Sequence, residues 1–480
     1  MIAPAMHSEI IDQIKQHFDT VITYGTAQDG PDPNPMWMAS LDVRTGRYPE
    51  NDLRPAHISP RVDSYTHAPG GATLYWDQPH LVAAHNLSDM TGDQRYAEAA
   101  NAYIRAFLQR SVANCDLFLW GNHYYYDVYQ GETVWFRSHT PPRPTGVHAI
   151  TAYLHEIRPV PPAWELFWWI DPKLTKRSLD AIGRYHVFDP ATGGFNRHAD
   201  QQPGLDYLEA GGILVESLAW LYTRTRERSA ADLALRIARF TFEHRAPLTG
   251  LIPVSSMAKS WERYTSTTEI GLWANSLLRA AQYTNLSQFH TMARDVVAAY
   301  LTYGWDAADG RYYGRLNIAD GTPQRDEDPA DKISAYQPDT YTDIWNALYP
   351  SHDYPLALAE ACVTLYEQTG QPEFRTAIYR WAALIAELTY EGAPVVRYAE
   401  QFGRAIHFLL RAADVLEKNR FRVQAVDIAD VAVSGLFAGR MFRSHTGEDR
   451  YDAVDGLGYL LLALLYLETR QPPNYMGFGF

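Results

Sequence analysis

Cysteine is almost missing from these 480 residues, with Cys115 and Cys362 the only two. Two thiols supply neither a disulfide framework nor a Cys-rich metal site, so packing must hold the chain together. Long apolar runs are also lacking. Gly456–Glu468 comes nearest, and it falls short of the roughly 20 residues a membrane helix needs. Met1–Asp19 has no basic stretch followed by an apolar one. It does not read as a secretory signal, and the expectation is a cytoplasmic protein. Basic charge is in deficit: 42 Lys and Arg face 56 Asp and Glu, a formal net charge of −14. An acidic body disfavours nucleic acid and anionic membrane as partners. There is no Gly-x-x-x-x-Gly-Lys-Ser/Thr, no Gly-x-Gly-x-x-Gly after a strand and no Gly-x-Ser-x-Gly, which argues against nucleotide-driven chemistry and serine hydrolysis. His-Glu-x-x-His is absent as well, so neither metal nor cofactor is expected.

Aromatic residues are what the chain has in surplus. Tyr, Trp and Phe make up 13% of it. Many sit in Gly- and Pro-rich stretches, such as Trp120-Gly-Asn-His-Tyr-Tyr-Tyr-Asp127 and Gly304-Trp-Asp306. Loop aromatics beside polar groups suit flat ligands with apolar faces, sugars above all.

A weak repeat runs along the chain. An apolar helix, a short polar turn and a second helix rich in Ala, Leu and aromatics recur. Leu87-Ser-Asp-Met-Thr-Gly-Asp-Gln-Arg-Tyr96 is one such turn, and Tyr366-Glu-Gln-Thr-Gly-Gln-Pro-Glu-Phe374 is another. Looser copies span Leu221–Phe242, Ala280–Tyr303 and Leu410–Leu436, with a truncated one at Leu465–Gln471. Phe374, Ala377, Ile378, Trp381, Ala382 and Ile385 mark one face of a helix. Strand alternation is scarce, and extended pieces such as Tyr312–Leu316 read as parts of loops. Short turns make the helices of each pair antiparallel neighbours. The connections between pairs are long: Asn114–Thr140, His186–Leu208, Gly250–Thr268, Gly304–Tyr341, Glu391–Phe402 and Ala438–Gly456. If the hairpins repeat around a ring, all of these loops share one end, and function concentrates there.

The loops carry the candidate chemistry. The first holds Trp120, Asn122, His123, Tyr124, Tyr126 and Asp127. The next phrases hold His155 and Glu156, then Asn196, Arg197, His198 and Asp200. Six of the 17 histidines fall between His123 and His198, so the cluster is harder to set aside than any single ring. Later loops add Trp261 and Glu262, then Arg397, Tyr398, Glu400 and Arg404, then His445, Asp452 and Asp455. For Asp452 and Asp455 helix capping is the plain alternative, worth roughly 0.5–2 kcal/mol. Arg404 and Glu400 have an ion pair and a cap as theirs.

Tandem helical hairpins, with aromatics, carboxylates, His, Tyr and Arg at one mouth, resemble the six-hairpin glycosidase-like superfamily over roughly Trp76–Arg470. The resemblance implies an all-α (α/α)6 toroid, with residues 76–480 as the barrel and 1–75 packing on it. It also implies an enzyme acting on an oligo- or polysaccharide. Hydrolysis of a uronic-acid-containing glycoside is the leading expectation, with Asp127 or Glu156 as general acid. Asp200, Glu262 and Asp455 are further carboxyl candidates, and Arg197, Arg397 and Arg404 would grip a sugar carboxylate. A polysaccharide lyase is the rival, drawing on Asn122-His123-Tyr124 and Asn196-Arg197-His198 to neutralise a uronate and remove its α-proton. A sugar epimerase with His155 and His198, or His407 and His445, as acid and base is the third reading.

Overall fold

The structure, a computed structural model, describes residues 4–27, 34–46, 71–121, 124–128, 130–135, 155–259, 261–324, 341–342, 344–345, 354–386 and 396–479. A leading helix α1 (Pro4–Tyr24) precedes a series of pairs. These are α2 (Leu74–Thr91) with α3 (Arg95–Arg110), α4 (Trp164–Ile170) with α5 (Pro172–His186), and α6 (Leu208–Thr225) with α7 (Arg228–Glu243). They continue with α8 (Thr267–Thr284) and α9 (Ser287–Tyr303), α10 (Leu356–Thr369) and α11 (Pro372–Ala386), and α12 (Ala399–Val415) and α13 (Asn419–Leu436). Helix α14 (Leu457–Thr469) ends the series.

The first helix of each pair lies inside and the second outside, and the burial pattern gives the reason. Every residue from Leu208 to Leu221 of α6 is buried, whereas α7 buries one stripe, Ala230, Ala231, Ala234, Ile237, Ala238 and Thr241. A helix apolar all round belongs in the interior, and one with a single stripe covers it. The inner helices pack in sequence, α6 on α8, α8 on α10, α10 on α12, α12 on α14 and α14 back on α2. Short α4 fills the gap between α2 and α6. Ala163 N–H donates to Gln78 Oε1 at 2.8 Å, and Trp164 Nε1 donates to Ser217 Oγ at 2.9 Å. The described chain is thus a toroid of six long inner helices and a short wedge, the all-α ring of hairpins that the repeat predicts. Turns within pairs are tight and end in left-handed residues at Gly92, Arg226, Asn285 and Gly370. Long loops gather at the opposite end, around the N-termini of the inner helices. Their extended pieces are short ladders, such as Tyr264–Ser266 with Arg315–Asn317.

Glycine sets how closely the inner helices approach at the loop end. A Cβ on Gly271 would overlap the backbone of Ala357 and Leu358, one on Gly403 that of Tyr459 and Leu460, and one on Gly458 that of Pro79 and His80. At Gly212 it would come within 3.0 Å of the Trp273 Cα. Helix starts therefore touch backbone to backbone around much of the ring.

A buried polar chain ties α1 and α2 to the last loop. The Phe442 N–H can only donate, and it meets His17 Nδ1 at 3.3 Å. His17 Nε2 must then donate to His80 Nε2 at 2.9 Å, and His80 Nδ1 to the Tyr451 hydroxyl at 3.0 Å. Tyr451 donates to Asp77 Oδ1 at 3.2 Å, and Tyr103 donates to Asp77 Oδ2 at 2.8 Å. Burial pushes His17 down to about 3 and Asp77 up to about 7. At the far end the C-terminal tail closes the ring. Asn474 and Asn86 exchange two hydrogen bonds at 2.8 and 2.9 Å, and Phe478 packs 5.4 Å from Tyr459.

Two outcomes test this account. Gly458→Ala should destabilise the protein by roughly 1–3 kcal/mol, the usual cost of overpacking, read from denaturant unfolding. The second concerns Asp77, whose folded value of about 7 stands above its ordinary 3.8. The unfolded chain then releases its proton first, so the stabilisation is full below 3.8 and is lost as pH rises through 7. The depressed histidines act in the opposite sense, so the comparison with Asp77→Asn isolates Asp77. The variant should lose less melting temperature than the parent across that interval, and equal losses would show that Asp77 does not carry the titration.

Candidate active site

The loop end brings two stretches of chain side by side. Glu156 and His198 form an antiparallel bridge, extended by Ile157 N–H to the Arg197 carbonyl at 3.0 Å and Ala199 N–H to the His155 carbonyl at 3.3 Å. This pairing directs three cationic or titratable side chains at one carboxylate. Glu156 Oε1 lies 3.3 Å from Arg197 Nη2, 3.4 Å from His198 Nε2 and 3.6 Å from Arg158 Nε, and its side chain is 1% exposed. Two guanidiniums at such range favour the ionised carboxylate. Arg197 Nε is buried with no hydrogen-bond partner, a donor with capacity left for a ligand. Tyr75 of α2 holds the loop in place: its hydroxyl accepts from Arg158 N–H at 2.8 Å and Val160 N–H at 3.3 Å and donates to the Arg158 carbonyl. Gly121 covers Glu156 from above. Its φ is +92°, and a Cβ there would stand 3.0 Å from the Glu156 Cβ and carbonyl oxygen.

Cations and aromatic faces alternate away from this centre. Arg197 lies over the Tyr207 ring at 4.6 Å, Tyr207 meets Trp261 edge-on at 5.8 Å, and Arg315 lies over Trp261 at 4.9 Å. Each cation–ring contact is worth about 0.5–2 kcal/mol, and together they form a wall with apolar faces and charged edges.

Inner-helix N-termini supply more carboxyl groups. Glu209 stands in the first turn of α6 and Glu269 in the first turn of α8. The two residues are neighbours, and Glu209 N–H donates to Glu269 Oε2 at 3.2 Å. Burial, then the charge of Glu209, pushes Glu269 well above the usual carboxylate range, with Arg197 pulling the other way. Further round, Arg404 donates to Glu400 Oε1 at 2.6 Å and is sandwiched between Tyr354 and Tyr459, 4.4 Å from each ring.

The residues expected from sequence fall into three groups. Glu156, Arg197 and His198 come together, with Trp261 at the edge of their wall. Glu400 and Arg404 form the ion pair that was the plain alternative, buried at the mouth. The others make contacts elsewhere in the loops. Asp127 closes its own hairpin, accepting from Gln130 N–H and Gln130 Nε2, both at 3.0 Å. Tyr124 lies in the same strand, and the Tyr126 hydroxyl accepts from Arg110 at 3.2 Å. Trp120 packs between Tyr75 and His155, at 5.2 and 5.1 Å. Asn196 binds its own loop through Asp200 and the Gln202 carbonyl. His155 is buried behind the site, 2.8 Å from His186, whose other nitrogen meets the Asn196 carbonyl at 2.8 Å. Arg397 pairs its backbone with Thr446, and Tyr398 caps α12. His445 lies 5.1 Å from Tyr398, Asp452 bonds Ser444 through its backbone, and Asp455 is buried ahead of α14. Glu262 lies in the 3-10 turn Trp261–Arg263. His407 sits lower in α12, 2.7 Å from Glu360 and 2.5 Å from Tyr475. Asn122 and His123 lie outside the described residues.

Sequence reasoning missed Tyr75, Arg158, Tyr207, Glu209, Glu269, Tyr354 and Tyr459. A signal for part of that set exists. Glu209-x-x-Gly212, Thr268-x-x-Gly271, Glu400-x-x-Gly403 and Asp455-x-x-Gly458 all open inner helices or lead into one. A polar residue one turn ahead of a contact glycine marks the mouth. Among the described residues no three His, Cys, Asp or Glu side chains group to hold a metal ion, and no helix is long and apolar enough to cross a membrane.

Comparison with known proteins bears on the fold and on one segment. Residues 77–209 match the family model described as periplasmic pectate lyase. That description is periplasmic, so the expectation of a cytoplasmic protein is not confirmed. A D-mannose isomerase superposes over 98% of this chain and 98% of its own, at 9% identity and a TM-score of 0.51. Unsaturated glucuronyl hydrolase from Bacillus sp. GL1 does so over 98% of each chain, at 14% identity and a TM-score of 0.49. For cellobiose 2-epimerase from Bacillus thermoamylovorans B4167 the coverage is 97% of this chain and 100% of the other, at 8% identity and a TM-score of 0.49. The chain has an (α/α)6-toroid fold, shared with D-mannose isomerase.

Proposed function

We propose that this protein is a carbohydrate-active enzyme that cleaves a uronic-acid-containing polysaccharide by β-elimination. The observation that carries the reading is the convergence of Arg158, Arg197 and His198 on buried Glu156, with Arg197 Nε left without a partner. The segment that matches the pectate lyase family model contains all four residues.

The chemistry follows from the side chains. Elimination begins with loss of the proton on the carbon beside the uronate carboxylate. That proton becomes acidic only when the carboxylate's charge is offset, because its removal places more negative charge on the same oxygens. Fixed guanidiniums in a site shielded from water do this with little reorganisation. Arg197 and Arg158 would take the carboxylate as planar forks. His198, whose Nε2 stands 3.4 Å from Glu156 Oε1, would accept the proton. The Tyr207–Trp261 wall offers a sugar its apolar faces.

Hydrolysis is the second reading, favoured by the number of buried carboxyl groups at the mouth. It needs a carboxylic acid and a second carboxylate roughly 5–9.5 Å apart. Glu156 makes a poor acid beside two guanidiniums.

The test is to incubate the protein with a panel of uronic-acid polysaccharides, pectate among them. Reducing ends and the ultraviolet absorbance of a new conjugated double bond are followed together. Both should rise in step, and reducing ends without absorbance would establish hydrolysis instead. Arg197→Lys keeps the charge but loses the fork, and should lower kcat by about 100- to 1000-fold. His198→Asn should lower it by about 100- to 10,000-fold with melting temperature preserved. Full activity in either variant would remove that residue from the mechanism.

A further inference from the structure

The end of the ring away from the loops holds a second cleft. It opens among the last turns of α8, α10, α12 and α14 and encloses about 400 Å3, within the roughly 300–1,000 Å3 that small-molecule sites occupy. Arg411, in its wall, stands about three turns along α12 from Glu400 at the mouth, roughly 16 Å at 1.5 Å per residue. None of the residues that line it takes part in the Glu156 centre. We propose that this cleft is a second binding site, for a neutral mono- or disaccharide. The proposal stands on the cleft itself and does not depend on the elimination reading.

Buried polar side chains build the floor and hold one another in place. His407 Nδ1 lies 2.7 Å from Glu360 Oε1, and His407 Nε2 lies 2.5 Å from the Tyr475 hydroxyl. Arg411 donates to Glu360 Oε2 at 2.9 Å and to Thr364 Oγ1 at 3.2 Å. Arg279 grips Glu216 as a fork, at 2.6 and 2.7 Å. Glu360, His407 and Glu216 are no more than 3% exposed, so the frame is rigid before any ligand arrives. The C-terminal tail forms the facing wall. Tyr475 reaches His407, Phe478 lies on Tyr459, and a Cβ on Gly479 would overlap the Arg279 guanidinium. Gln282, Glu367 and Asp414 make an exposed rim.

Charge decides the class of ligand. Each carboxylate here already has an arginine: Arg411 serves Glu360 and Glu367, Arg279 serves Glu216, and Arg422 serves Asp414. A charged ligand would meet paired charges of both signs, and would gain little against the cost of its own desolvation. Hydrogen-bonding capacity is what remains. Among the described residues Arg279 Nη1, Arg411 Nε, Asn275 Oδ1 and the Gln282 amide have no hydrogen-bond partner. Spare donors beside spare acceptors suit hydroxyl groups, each of which does both. Tyr466, Tyr475, Phe478 and Leu278 add apolar faces to the same cleft. A pyranose, with hydroxyls around its edge and C–H groups on its faces, matches both kinds of surface.

Saturation-transfer NMR and calorimetry on the full chain test the site. Glucose, galactose and cellobiose are the neutral probes, with galacturonate and glucosamine as charged counterparts. At least one neutral probe should bind saturably with a Kd of about 1 mM or tighter, and its charged counterpart about fivefold or more weakly. Gln282→Trp sets a large ring on the exposed rim. It should weaken neutral-sugar binding by about tenfold or more, with the melting temperature of the parent. Glu367→Gln, a second change at an exposed position, removes a negative charge and should bring galacturonate closer to galactose in affinity. Failure of all three neutral probes, or tighter binding of a charged counterpart, would overturn the proposal. So would binding that neither variant alters, which would put the sugar elsewhere on the protein.

Discussion

Backbone contact between inner helices is the constraint from which the rest of the molecule follows. Helices normally stand 8–10 Å apart, separated by side chains. At Gly271, Gly403 and Gly458 there is no room for even a Cβ, so the ring is drawn tight at the end where the loops enter. A residue one turn earlier on such a helix is then carried toward its counterpart on the next. Glu209 and Glu269 meet for this reason, since Gly212 lets α6 settle on Trp273 and Ser276 of α8. The tight ring thus gathers carboxyl groups that would otherwise repel one another.

Charge at the mouth is compensated locally, not by the body of the protein. The chain as a whole is acidic, yet the centre of the site holds Arg158 and Arg197 against a single Glu156. Glu156 keeps the two cations in place in the resting protein, and Tyr75 fixes the loop that carries one of them. Buried atoms without a hydrogen-bond partner in this region include Arg197 Nε and Glu209 Oε2. Buried polar atoms are rarely left unpaired, and one donor and one acceptor on neighbouring elements describe a place shaped for a polar ligand.

Much of the architecture could be read from the chain before folding was considered. Ala- and Leu-rich helices joined by short turns at Gly92 and Gly370 predict hairpins, and the long connections between them predict a functional end. Both follow from local rules of helix periodicity and termination. The site was legible only in part. Glu156, Arg197 and His198 stood out because they lie in polar loops beside Gly, Pro and aromatics. Asp127 stood out for the same reason and turned out to close a hairpin turn. A turn carboxylate and a catalytic one have the same local signature, because both are short polar side chains in loops.

Glu269 shows the converse. It lies in a helix start, where an acidic residue is unremarkable because it favours the helix dipole. Burial first, and then the charge of Glu209, 60 residues away in the chain, push its pKa up. By itself the sequence determined that the chain forms paired helices and which loops hold the polar and aromatic residues, since periodicity, turns and composition act over a few residues. Only the tertiary structure decided which carboxylates are countered by arginine, which are brought beside another carboxylate and which close a turn. Those properties depend on distance and on exclusion of water, and both are set by segments that meet only when the ring closes.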